Sequence, residues 1–363
     1  MKPTPRGYLP TLDGWRAIAI LMIIVVHSAS AVFAPGAGSE NAFWFAVTRY
    51  GAKGVDVFFG ISGFLICSRL LEEHEAHGTI SLKGFYIRRA LRILPPYAVY
   101  LVALVMLTAL GAVTLGRGEL LTSIFFSRNF FTAPSDAAAW FTGHLWSLAV
   151  EEHFYLLWPG LLVFWTPGKA RRNVVLFALA IAAWRVIEFR FRLLNHVLPD
   201  VSFYQRTDVR LDALLWGCWF ALLLRIPAWR ERCTRLLSGW RWWALMAALV
   251  AVMVLPVPMA MLWQSLLIAA VIAGTTLNPD TPVGRLLETA PPRWIGRISY
   301  SLYLWQNLFL IPLSVAWHLG LLQTLPLNVA AAFAAAALSY YVVERPMIKL
   351  GHRLAPPTTE GRA

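Results

Sequence analysis

The stretch Gly14-Trp15-Arg16-Ala17-Ile18-Ala19-Ile20-Leu21-Met22-Ile23-Ile24-Val25-Val26-His27 decides the class of fold. It opens an apolar run over 14–33 that is long enough, as a helix, to cross the roughly 30 Å hydrocarbon core of a bilayer. Arg16 and His27 nevertheless lie within the run, where an ionisable group is costly and is a functional candidate by default. They are eleven positions apart. At about 100° per residue that spacing is three turns plus about 20°, with an axial separation of about 16 Å. Both side chains therefore share one face. The functional reading is a polar track with an anion clamp, Arg16, at its mouth and an acid/base, His27, deeper in. A neutral imidazole can take a proton from a hydroxyl at cellular pH. The plainer reading is that Arg16 snorkels to headgroups and His27 bonds a neighbouring helix.

Outward from this run, the rest of the chain is equally apolar. Of its 363 residues 58 % are hydrophobic and 14 % charged, against a net charge of +13. That composition excludes disorder and an ordinary soluble globule. Apolar runs recur at 54–71, 93–115, 146–166, 174–190, 208–225, 242–256, 259–276, 298–318 and 324–344. With 14–33 they predict an all-α polytopic membrane protein of about ten spans. The division at Pro256 to Pro258 is the weakest, because one long kinked span there would reverse every later loop. Of the 32 Lys and Arg, 21 fall on the segments that alternate with the N-terminus, eight on the opposite ones, and Arg16, Arg69 and Arg185 inside spans. Basic residues favour the cytoplasmic side, so both termini are expected there. The positive charge is thereby spent on orientation, and nucleic acid is not an expected partner. A cleaved signal peptide is the rival reading of the first 34 residues, opposed by Asp13 and Arg16 at its apolar run. The three cysteines give no disulfide framework, and no spacing points to a metal. The expected organisation is one membrane domain over 1–346 and a short, disordered cytoplasmic tail over 347–363.

Polar residues within the other runs form the remaining candidates. Gly54-Val55-Asp56 leads into Phe58-Phe59-Gly60-Ile61-Ser62-Gly63-Phe64, where the glycines admit either a ligand or a packed helix. Arg88-Arg89-Ala90-Leu91-Arg92 precedes Pro95-Pro96. On a helix, Arg88 and Arg92 share a face, and two guanidiniums can hold phosphates in a bidentate manner. An anchor to anionic headgroups is the alternative. The stretch His144-Leu145-Trp146-Ser147-Leu148-Ala149-Val150-Glu151-Glu152-His153-Phe154-Tyr155 opens the fourth run near the expected depth of His27. One of its glutamates could orient that histidine, or both could be a solvated helix cap. Arg206, Asp208, Arg210 and Asp212 open the sixth run, as an acceptor site or a charge-paired cap. Glu344-Arg345-Pro346 reads as a helix stop.

Six segments, in order along nearly the whole chain, resemble the acyltransferase-3 family of bacterial integral-membrane acyltransferases. They are Leu12 to Ala19 with His27, Gly54 to Ile66, Arg88 to Pro95, His144 to Pro159, Arg210 to Leu214 and Ile298 to Trp305. The family's pattern of a basic residue, ten intervening residues and histidine falls on Arg16 and His27. Its arginine motif falls on Arg89 and Arg92 or on Arg88 and Arg92. The resemblance implies transfer of an acyl group, commonly acetyl from cytoplasmic acetyl-CoA, to a hydroxyl of a carbohydrate or related acceptor at the bacterial inner membrane. It departs from the family's pattern at Trp15 (usually Leu), His153 (commonly Gln) and Gln306 (often His). Many relatives carry a periplasmic hydrolase-like domain; none is expected fused here, so an acceptor-handling partner would be a separate protein.

Together these readings make His27 the general base or acyl carrier, with Glu151 orienting it. Arg88, Arg89 and Arg92 would hold the CoA phosphates, Arg16 would guide the pantetheine arm, and amides around Ser62 and Gly63 would hold the thioester carbonyl. Trp146, Ser147, Glu152, Arg210 and Asp212 are the expected acceptor set. The alternative from another class is a transporter or flippase for a lipid-linked sugar, which would neither bind the donor nor release free CoA.

Overall fold

A bilayer offers no hydrogen bonds, so a backbone that crosses it must satisfy its own amides; helices do this within one segment. The computed structural model describes residues 8–32, 50–131, 136–194, 197, 201–312, 315 and 320–355. Every regular element among the described residues is helical.

Helix α1 covers Pro10–Val32, starts on a proline and carries Asp13 in its first turn, where the helix dipole favours an anion. Helix α2 covers Gly54–His77 and ends on Gly78 in the left-handed region at φ 72°. Helix α3, Leu82–Ala109, is capped by Ser81, whose hydroxyl accepts from the Gly84 amide at 3.1 Å. It runs through Pro95 and Pro96 without ending, so the arginine block lies on the same helix as the third run. The short helices α4 (Arg117–Ile124) and α5 (Asp136–Gly143) lead to α6 (Trp146–Phe164), α7 (Pro167–Phe191) and α8 (Asp212–Leu223). Then come α9 (Pro227–Leu236), α10 (Gly239–Val254), α11 (Ala260–Leu277), α12 (Pro282–Leu287) and α13 (Ala290–Trp305). The last helix is α14 (Leu327–Ser339), continued through a π-helical turn over Tyr340–Glu344 into α15 (Arg345–Leu354).

Each of the ten expected runs contains a helix. Five helices are long and apolar enough to cross a membrane by themselves: α1, α2, α3, α11 and the continuous Leu327–Leu354. A sixth results if α9 and α10, bent by 77°, count as one broken span. Apolar side chains face outward on helices outside that set as well, among them Leu156, Leu157 and Phe164 on α6 and Leu176, Phe177 and Phe189 on α7. A surface so apolar suits lipid rather than water.

One division that the sequence left weak is upheld, and two expectations are corrected. The doubtful division at Pro256 to Pro258 is a true one: α10 ends at Val254, Met259 turns left-handed at φ 54°, and α11 packs back on α10. Glu344-Arg345-Pro346 is not a stop, because the π-turn absorbs the proline at the start of α15 and the helix runs on to Leu354. Residues 347–354 are consequently helical and not a disordered tail, and α15 packs on α3; residues 356–363 lie outside the described residues.

Two contacts set the interior. A Cβ on Gly63 of α2 would overlap the Leu214 carbonyl oxygen of α8, and a Cβ on Gly217 would overlap the Gly60 carbonyl oxygen. The two backbones therefore touch, and Cys218 Sγ lies 3.3 Å from the Gly63 oxygen. On the other side Gly296 of α13 presses on the Asp13 carbonyl of α1 in the same way. One apolar cluster gathers around α2, α6, α7, α8 and α11, and a second around α1, α3 and α13. Val55, Phe58 and Tyr300 pack against both and mark the seam.

Replacing Gly63 with Ala should lower the stability of the detergent-purified protein by about 1–3 kcal/mol, the usual scale of overpacking. Gly160→Ala, where an added methyl meets nothing within 4 Å, should cost nothing. Equal melting temperatures for the two variants would remove the backbone contact from the account of the fold.

Candidate active site

The seam between the two clusters opens into a cavity with about 750 Å³ of empty space, mouth included. Its walls bring together Arg16 of α1, Ser62 of α2, Arg89 and Arg92 of α3, and Glu151 and Glu152 of α6. Six residues singled out in the sequence, scattered over more than a hundred positions, thus share one space. Helical spacing explains the local part: Arg89 and Arg92 are three apart on α3 and present neighbouring faces. The Arg89 guanidinium lies 3.5 Å from the centroid of the Tyr155 ring, a cation–π contact suited to a dry site. Arg89 Nε is buried without a hydrogen-bond partner. Neither Arg89 nor Arg92 makes an ion pair among the described residues, whereas Arg16 meets Asp13 at 3.3 Å. Guanidinium groups that line a cavity without a carboxylate partner are suited to an anionic ligand.

Glu151 accepts a hydrogen bond from Ser62 Oγ at 2.7 Å. Nearby, Tyr303 donates its phenolic proton to the His144 carbonyl at 2.6 Å, so Ser147, 2.6 Å from the same phenol oxygen, is the donor in that second bond. Tyr300 donates to the Ile93 carbonyl at 3.0 Å.

His27 lies outside the lining of this cavity. Its ring meets Trp140 edge-on with centroids 5.1 Å apart, and Gln306 and His144 are its polar neighbours. His144 connects the two places: its ring is 5.3 Å from that of Tyr303, which lines the cavity. Both ring nitrogens of His144 and Nδ1 of His27 are buried without a hydrogen-bond partner. Glu151, expected to orient His27, is instead engaged with Ser62 in the cavity.

Other expectations are redirected by packing. Arg88 leaves the arginine group: its Nη2 pairs with Glu73 at 3.0 Å and Nη1 donates to the Ala355 carbonyl at 3.1 Å. Gly63 sits within α2, where backbone amides are committed to the helix and the residue itself is pressed on α8, so its amide is not a free donor for a carbonyl. Arg210 pairs with Asp56 and packs beside the Trp146 and Phe59 rings, with 5.6 and 5.5 Å to their centroids. Asp212 pairs with Arg185 of α7. Arg210 and Asp212, two of the five residues of the expected acceptor set, are thus tied into separate buried ion pairs. Of that set, Ser147 and Glu152 line the cavity.

Sequence reasoning passed over Tyr155, Tyr300 and Tyr303, and it gave His144 no role of its own. Hydroxyls at 299, 300, 301 and 303 within one apolar run were the available signal. It also read Glu344 only as part of a helix stop, whereas the residue is fully buried and accepts from Ser301 Oγ at 2.8 Å.

Comparison with known proteins matches a family model described as an acyltransferase domain to residues 9–344. The chain belongs to this acyltransferase family. It is 29 % identical to the peptidoglycan O-acetyltransferase OatA of Listeria monocytogenes, over 95 % of this chain and 57 % of the relative. It is 30 % identical to a Bacillus subtilis protein named "Putative peptidoglycan O-acetyltransferase YrhL", over 97 % of this chain and 57 % of that one. A Staphylococcus aureus protein named "Putative O-acetyltransferase" is 34 % identical over 60 % of the chain. The acyltransferase thus spans 57 % of the length of the first two relatives. No solved structure matches it.

If Arg210 serves the fold, Asp56→Ala should destabilise the acyltransferase by about 3–5 kcal/mol, because one charge is left buried alone. The double variant Asp56→Leu, Arg210→Met should recover much of that loss in melting experiments. A single variant that melts normally but fails to engage acceptor would restore Arg210 to a binding role.

Proposed function

We propose that the protein moves an acetyl group from acetyl-CoA to a hydroxyl of a cell-envelope carbohydrate, of the peptidoglycan kind for which its longer relatives are named. The observation that carries this reading is the cavity into which Arg16, Arg89 and Arg92 converge beside Glu151, Glu152 and a buried serine. Arg89 and Arg92 bind phosphate oxygens of the donor, and Arg16 neutralises the remaining negative charge at the mouth. With Arg88 committed to Glu73, it stays outside the donor site.

His27 is the base. It takes the proton of the acceptor hydroxyl as the oxygen attacks the thioester carbonyl, so that a C–O bond forms and the C–S bond breaks. The proton then passes to the departing CoA thiolate. An acyl-His27 intermediate is the other form of the same transfer. His144 stands between the two parts of the site and supplies the link from cavity to base. Buried in an apolar wall, the pair excludes the water that would hydrolyse the donor.

For topology, we infer that all ten helical runs cross the bacterial cytoplasmic membrane, with both termini on the cytoplasmic side, in line with the 21-to-8 bias of basic residues. Donor then enters from the side where CoA is made, and acceptor is met from the other.

Purified protein incubated with radiolabelled acetyl-CoA tests the reading directly. Wild type should bind the donor and release free CoA in the presence of a carbohydrate acceptor. His27→Ala should lose transfer by about 10²–10⁴-fold, the range of general-base catalysis, while still binding donor. Arg89→Ala, Arg92→Ala should lose donor binding. Absence of donor binding by wild type would sink the proposal and favour a transporter. Full transfer by His27→Ala would remove that residue from the chemistry.

A further inference from the structure

A second concave site lies outside the cavity, between α7 and the far end of α8. Arg185 of α7 meets Asp212 and the Val209 carbonyl at the start of α8, so the two helices run antiparallel. Their opposite ends bring the first turns of α7 beside the last turn of α8. There a groove with about 770 Å³ of empty space, open to the outside, begins at Arg171 and Arg172. It continues along Val175 and Leu176, one turn further into the apolar length of α7, against Trp219 and Leu223 of α8. Trp229 of α9 closes the charged end.

Three observations say what such a groove takes. First, charge and grease are segregated along it: two guanidiniums at one end, aliphatic and indole surface beyond. Second, neither arginine makes an ion pair among the described residues, although other interhelical arginines do, including Arg185, Arg206 and Arg210. Third, α9 beside it is set 77° from α10 and exposes Arg230, Arg232 and Arg235, with the Arg232 guanidinium 5.2 Å from the Trp229 ring centroid. A short helix that is basic and turned out of the span direction belongs in the headgroup plane. The charged end of the groove is therefore at headgroup depth and its apolar end at the depth of acyl chains.

We propose that this groove is a binding site for one anionic phospholipid, the phosphate held between Arg171 and Arg172 and an acyl chain laid along Val175, Leu176 and Leu223. A free phosphate would leave the apolar length unfilled. A second copy of the chain would bring its own arginines against these, with no carboxylate in the groove lining to meet them. The site is independent of the acyltransfer reading, because none of its residues lines the cavity.

The test is native mass spectrometry of the full, delipidated chain titrated with phosphatidylglycerol or with phosphatidylcholine of the same acyl composition. Phosphatidylglycerol should bind with a discrete first equivalent, and phosphatidylcholine should not. Arg171→Gln, Arg172→Gln should weaken that first equivalent about fivefold per arginine, roughly 25-fold together. Val175→Trp, which fills the groove and keeps both charges, should weaken it as well, and serves alone if the double variant does not fold. Lipid-free melting temperatures report folding of each variant. Equal retention of the two lipids, undiminished binding in both variants, or displacement of the lipid by glycerol phosphate at equal concentration would each overturn the proposal. So would a groove-dependent dimer in the absence of lipid.

Discussion

Polar groups in this chain have nowhere to turn but to one another. The hydrocarbon around the helices forms no hydrogen bonds, and a charge left alone within it costs several kcal/mol. This constraint accounts for the pairing of Arg210 with Asp56, Arg185 with Asp212 and Arg206 with Glu188. Each pair joins separate elements and fixes how they sit, the first across 154 positions of the chain. The α2–α8 backbone contact through Gly63 and Gly217 is held in register by the first of these pairs, and that register turns Phe58, Phe59 and Ser62 toward the cavity. The site is shaped by interactions that take no part in its chemistry.

Against that background the cavity is an exception. Arg89 and Arg92 have no carboxylate partner among the described residues, although Glu151 and Glu152 share the space. Glu151 is turned to Ser62, and Arg89 rests on Tyr155. The guanidinium donors are thereby kept in position without being used up. Binding of an anion then needs no ion pair to be broken first, which favours affinity through preorganisation.

Much of this was legible in the sequence, and what was not has physical causes. Apolar runs near bilayer length located ten helical regions, because lipid imposes length and composition directly. Arg16, Ser62, Arg89, Arg92, Glu151 and Glu152 stood out because a charge or hydroxyl in an apolar run is conspicuous. Their mutual arrangement was not readable, since it depends on how helices rotate about their axes. Hence Glu151 and His27, close in expected depth, face different neighbours. Arg88, Arg210 and Asp212 looked like ligand-binding groups for the same reason that structural ion pairs do: both are charged residues where lipid forbids them. Tyr300 and Tyr303 were missed because an aromatic ring is unremarkable in such a run until its hydroxyl is located. The helix continuing past Pro346 was missed because a proline ends an ordinary α-helix, whereas a widened turn can accommodate it.

That widened turn has an effect on the helix as a whole. A π-turn carries one residue more than an α-turn, so the segments before and after Tyr340–Glu344 are out of rotational phase by about a third of a revolution. The part before it, with Ala332 and Ala336 buried, lies along α13. The part after it turns Gly351 to the backbone of Arg88 on α3. A single rod of constant pitch could not keep both appointments. The extra residue works as a coupling between two misaligned shafts, and it also swings Glu344 to the inside, where it accepts from Ser301.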